Sequence, residues 1–215
     1  MENIDKVENY AQENMHISIK EKDIAIQSKM LAKVELKRAK AIDGVIKQEV
    51  VIAKVRERLA AEISALAKRK NDKRSLLKLD EKVIKKDKEI ATYNEKKAKN
   101  ETDIAEIRRE KSQIEKEIAE ERVQVAEKRM KISKTQGNLS KKQFSYVKLA
   151  RSGALNEKLQ KAEKTINDAR NDLTKAREEF VKKAEELKKK ENKLAAVKKE
   201  LSEKISEGEK ITHPS

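Results

Sequence analysis

The sequence predicts an all-α protein made of long coiled-coil helices, and three observations carry that prediction. Charged residues make up 43% of the 215-residue chain and aromatics only 2%, whereas a globular core of this length draws on several aromatics for buried area. Helix breakers are scarce, with a single Pro (Pro214) and four Gly, while Ala, Glu, Lys, Leu, Ile, Val and Arg form the bulk. Apolar residues recur at every seventh position, the spacing of a coiled-coil seam.

The period falls into three blocks. The first, over 10–66, aligns Tyr10, Ile17, Ile24, Leu31, Val45, Ile52, Leu59 and Leu66, with Arg38 in their midst. The second, over 76–139, aligns Leu76, Val83, Ile90, Ile104, Ile118, Val125, Ile132 and Leu139, with Lys97 and Lys111 between them. The third, over 155–205, starts from Leu155 and aligns Leu159, Ile166, Leu173, Phe180, Leu187, Leu194 and Leu201. These residues, apart from Tyr10, Leu139 and Leu155, are the expected oligomer seam. Positions three further on are weaker. Ala162, Ala169 and Ala176 let two backbones approach, while Asn100 and Glu121 are polar residues of the kind that lower stability or set register.

Phase slips twice. Ten residues separate Leu66 from Leu76, which reads as a three-residue stammer near 68–75 that overwinds a supercoil without ending the helix. One long N-terminal coiled-coil helix is therefore expected over 1–136. From Leu139 to Leu159 is twenty residues, one short of three heptads, and punctuation collects there. Gly137 suits a helix C-terminus, Ser140 and Gln143 suit a capping box, and Ser152-Gly153 offers a second interruption. A basic corner or helical-hairpin turn is expected at about 137–153, then a C-terminal helix over 154–207 and a flexible tail over 208–215. Gly44 keeps phase with its block and is expected inside a helix, weakened by about 1 kcal/mol relative to Ala. Residues 154–206 either fold back antiparallel on roughly 85–136 or pair between chains. The first block has no equal-length partner in the chain, so a homo-oligomer or another coiled-coil protein is expected to supply one.

The net charge of +15 is banded: −2 over 1–36, +10 over 37–99, −4 over 100–127 and +9 over 128–164. Opposite bands on neighbouring molecules can set their stagger. Within 128–151, Lys128, Arg129, Lys131, Lys134, Lys141, Lys142, Lys148 and Arg151 occur with no acid and with Phe144 and Tyr146 among them. That combination suits a polyanion: a nucleic-acid backbone with a stacked base, or an anionic membrane surface. The bland reading has the aromatics packing a turn and the lysines solvated. A second basic run, Lys68 to Arg74, sits at the first slip.

Signs of catalysis are missing from the pattern. There is no Cys, the two His (His16 and His213) lie near opposite ends, and no Gly-rich phosphate loop precedes a Lys and Ser/Thr. No catalytic, cofactor or metal residue is expected, nor a small-molecule substrate. The start of the chain lacks the apolar core of a secretory signal, and no run approaches the ~20 apolar residues a bilayer requires. A soluble protein, cytoplasmic or within a larger assembly, is the expectation. The predicted function is a non-enzymatic structural or assembly protein: a homo-oligomeric rod, filament component or scaffold, a class that includes phage and virion components. The alternatives are an architectural nucleic-acid binder using 128–151 and a coiled coil that polymerises on a membrane surface.

Overall fold

The computed structural model describes residues 2–72 and 81–211. They form three helices: α1 (Glu2–Asp72), α2 (Glu81–Arg151) and α3 (Asn156–Glu209), with no strand among the described residues. The chain is all-α, as the composition predicts. It divides into two compact units, Met1–Lys37 with Ile118–Lys189, and Arg38–Glu117 with Lys190–Ser215.

In the first unit α1 and α2 run in opposite directions. Arg151 pairs with Asp5 and Glu8, while Arg122, earlier in α2, pairs with Glu35. The α3 segment returns antiparallel along α2: Tyr146 Oη donates to Glu163, Lys128 pairs with Glu179 and Lys183 with Glu121. The second unit repeats both polarities. Lys70 pairs with Asp87 and Lys54 with Glu106, and Lys193 and Lys204 of α3 meet Glu110 and Asp103 of α2. The fold-back of 154–206 therefore occurs.

Two expected boundaries are corrected. A single helix over 1–136 does not form: α1 ends at Asp72, and α2 begins at Glu81 in the opposite direction. Of the stammer expected near 68–75, residues 73–75 lie outside the described residues, as does Leu76. The corner expected over 137–153 contracts to its last residues. α2 runs through Gly137, Ser140 and Gln143 to Arg151. The chain then turns at Gly153, whose φ of 68° is the left-handed conformation that suits glycine. Gly153 N donates to Ala150 O at 3.3 Å and Ala154 N to Leu149 O at 3.1 Å, a Schellman closure of the last turn. Gly208 likewise does not stop α3, which reaches Glu209; a side chain there would overlap the Asn100 amide.

Helix contacts explain why Gly137 is not a cap. α1 buries Ala11, Ser18, Ala25 and Ala32, and α2 buries Ala119, Ala126, Ser133 and Ser140, each set at seven-residue spacing. Such small residues let helix backbones come close, since interaxial distance follows the side chains between them. Ser18 Oγ donates to Ser133 O and Ser133 Oγ to Ser18 O, both at 2.8 Å. A Cβ on Gly137 would lie 2.8 Å from Ser18 Oγ, so the glycine serves the close approach. In the second unit the same spacing continues through Ala53 and Ala60 in α1 and Ile84, Ala91, Ala98 and Ala105 in α2.

The α2–α3 contact uses larger residues. Leu139, Ile166, Ala169 and Leu173 form a buried cluster, with Ile132 and Tyr146 packed on it. The third-block residues Leu159, Phe180, Leu187, Leu194 and Leu201 are half-buried on the same side of α3. That block, expected as part of an oligomer seam, packs within the chain.

Candidate assembly surface

α1 carries two heptad stripes one residue apart in sequence. A one-residue step turns a helix by about 100°, so the two stripes occupy different faces. The small-residue stripe is the buried one. The large-residue stripe predicted as the seam is left at the surface: Leu31 is 67% exposed and Leu66 62%, beside Ala32 at 4%. Ile17, Ile24, Val45, Ile52 and Leu59 are exposed in the same way, as are Met30, Val34 and Val55 on the adjoining rows. Among the described residues, fifteen of the twenty exposed large hydrophobics lie on α1, which singles out this helix.

Val83 and Ile90 in α2 are also exposed, but the rest of the second block divides differently. Ile118 and Leu139 are buried and Ile104, Val125 and Ile132 half-buried. An open cleft of about 280 Å³ in the first unit is lined by Leu31, Glu35, Arg122, Val125 and Phe180, among others. One of about 490 Å³ in the second unit is lined by Ile42, Val45, Glu49, Lys111 and Leu201, among others. Leu31 in the first cleft and Ile42 and Val45 in the second are exposed residues of α1.

The basic stretch is placed on α2, its cations partly engaged within the first unit. Lys128 and Lys131 both reach Glu179, at 2.8 and 2.9 Å. Hydrogen bonds from these two ammonium groups hold the Glu179 carboxyl at about 2, well below its usual range. Arg129 grips Glu21 with two nitrogens, at 2.6 and 3.2 Å, which lowers the Glu21 pKa and raises that of Arg129. Arg151 forks onto Glu8 and Asp5, and those bonds raise its pKa. Lys142 Nζ donates to Thr165 O at 3.2 Å. Phe144 and Tyr146 are half-buried, and burial followed by the Glu163 hydrogen bond raises the Tyr146 pKa. Lys134, Lys141 and Lys148 remain exposed, seven residues apart in one row.

Other chemistry is sparse. No group of three His, Cys, Asp or Glu suited to a metal occurs among the described residues, and His213 lies outside them. The sequence reading missed the small-residue stripe, although its signal was present: Ala or Ser at 11, 18, 25 and 32 and again at 112, 119, 126, 133 and 140. A search for large apolar residues passes over it.

The fold defines a class: all-α chains built of long helices packed on one another. Compared with family models and with curated proteins, the sequence matches none, so the functional reading rests on the residues themselves.

Proposed function

We propose that the protein is a non-enzymatic structural or assembly protein that works as a homo-oligomer, with the exposed face of α1 as its assembly surface. One observation carries the reading: an apolar residue at every seventh position from 10 to 66, Arg38 excepted, on a helix that turns a different stripe inward. Scattered exposed apolar residues are ordinary, but a contiguous stripe is the mark of an interaction surface. Its heptad spacing suits another helix rather than a small molecule. Rod, filament component and scaffold are the forms such assembly takes.

Sedimentation velocity on nuclease-treated protein, over a hundredfold range of concentration, tests the proposal. Association that increases with concentration is expected, and a monomer throughout would overturn it. A discrete final mass would indicate a closed oligomer, and continuous growth a filament.

A second reading, polyanion binding through α2, draws on the exposed row Lys134, Lys141 and Lys148 and on the net charge of +15. It predicts binding to duplex DNA or anionic vesicles that weakens steeply with salt and with reversal of those three lysines. Binding indifferent to both would remove it.

A further inference from the structure

The exposed face of α1 comprises two rows: the large apolar row from Tyr10 to Leu66, and a second row three residues further on. The second row reads Glu13, Lys20, Gln27, Val34, Ala41, Gln48, Val55, Glu62 and Arg69, all exposed. Read outward from Ala41, this row inverts its charge. Glu13 and Arg69 are equally far from Ala41 on either side, and so are Lys20 and Glu62. On the neighbouring row Asp23 and Arg58 complement each other about nearly the same centre.

We propose that α1 is its own partner: the face of the first unit's α1 segment in one copy packs antiparallel on that of the second unit's α1 segment in another copy, about a two-fold at Ala41. The inference rests on the assembly reading and adds its occupant and polarity. Antiparallel pairing brings Glu13 to Arg69, Lys20 to Glu62 and Asp23 to Arg58 across the seam. Parallel pairing in register sets each of these residues against its own copy, like charge on like, which selects against that arrangement.

The six charged residues have a second common property. Among the described residues none of them makes an ion pair, whereas other α1 charges find partners on α2: Glu21 with Arg129, Lys29 with Glu127, Lys54 with Glu106. Charge pairing within the chain thus occupies one side of α1 and leaves the complementary set on the other. Arg38 fits the same scheme. In the antiparallel register it lies opposite Gly44 of the second copy, where the missing side chain leaves its stem room and its head reaches solvent.

The chain has no Cys, so introduced thiols report on the pairing without background. Three single variants of the full chain, Ala41→Cys, Gln27→Cys and Val55→Cys, are treated with a short bismaleimide. Ala41→Cys is expected to cross-link to a dimer. Gln27→Cys and Val55→Cys are expected to stay uncrosslinked alone and to cross-link when mixed. Gln27→Cys linking to itself as readily as Ala41→Cys would overturn the antiparallel pairing. Absence of cross-links in a protein that still sediments as an oligomer would overturn it too, while leaving the assembly reading intact. Monomeric sedimentation without cross-links would overturn both. Charge exchange supplies an independent arm. Lys20→Glu is expected to weaken self-association by roughly tenfold, because each two-fold contact is made twice. Lys20→Glu with Glu62→Lys is expected to restore it, and failure of that rescue would count against this register.

Discussion

Gly137→Ala tests the close α1–α2 approach most directly, because elementary helix chemistry predicts the opposite sign from the one expected. Replacing a helix-interior glycine with alanine ordinarily stabilises by about 1 kcal/mol through reduced backbone freedom. Gly44 offers the unperturbed reference: an added Cβ there meets nothing within 4 Å, so Gly44→Ala should give that gain. At Gly137 the new Cβ lies 2.8 Å from Ser18 Oγ, which donates to Ser133 O. Rotating the hydroxyl away forfeits a buried hydrogen bond worth about 1 kcal/mol, and separating the helices instead costs roughly 1–3 kcal/mol by overpacking. The net expectation for Gly137→Ala is between no change and roughly 2 kcal/mol of destabilisation. The assay is urea unfolding followed by circular dichroism at 222 nm, in the wild-type background and in Ser18→Ala. With the hydroxyl gone, Gly137→Ala should recover the Gly44-like gain, for a coupling of about 1–3 kcal/mol in the cycle. Equal stabilisation by Gly137→Ala in both backgrounds would refute the contact and the register built on it.

Further outcomes follow from the same geometry. Ser133→Ala should cost about 1 kcal/mol by removing one of the reciprocal serine bonds, whereas Ser112→Ala should be neutral or stabilising, since Ser112 Oγ is buried without a partner; denaturant midpoints compare the two. Leu173→Ala should cost about 2–5 kcal/mol as a cavity in the α2–α3 cluster. Leu66→Ala should change the unfolding of the dilute protein by less than about 0.5 kcal/mol and instead weaken self-association by sedimentation. Glu179 is held at about 2 by Lys128 and Lys131, against an ordinary 4.5. Its depressed pKa means that its contribution is fully present above the unfolded value and is lost as pH falls from about 4.5 toward about 2. Acid unfolding of Glu179→Gln should therefore lose part of the wild-type pH dependence in that window, and an unchanged acid transition would contradict the pairing.

Much of the architecture follows from local pattern. A chain with one Pro, few aromatics and apolar residues at every seventh position stabilises little besides long helices; the slip at 66–76, read as a stammer within one helix, did not reveal that α1 stops at Asp72. Gly153 was legible as a stop because a left-handed turn residue favours glycine. Gly137 was not, since the sequence alone does not distinguish a glycine that ends a helix from one that admits Ser18 of another helix. The 128–151 cations present the same difficulty: their partners Asp5, Glu8, Glu21 and Glu179 lie far away in the chain.

The candidate surface shows most plainly the division between the two sources. Sequence by itself determined helix, period and the identity of the large apolar stripe from Tyr10 to Leu66. Tertiary structure alone decided that this stripe stays outside. A seven-residue period identifies the residues that share a face but not what that face meets. α1 carries two such stripes about 100° apart. α2 presents Ala119, Ala126, Ser133 and Ser140, a small-residue surface that only another small-residue surface can approach closely. That match takes the alanines and serines of α1 inward, and the larger residues beside them are turned outward with them.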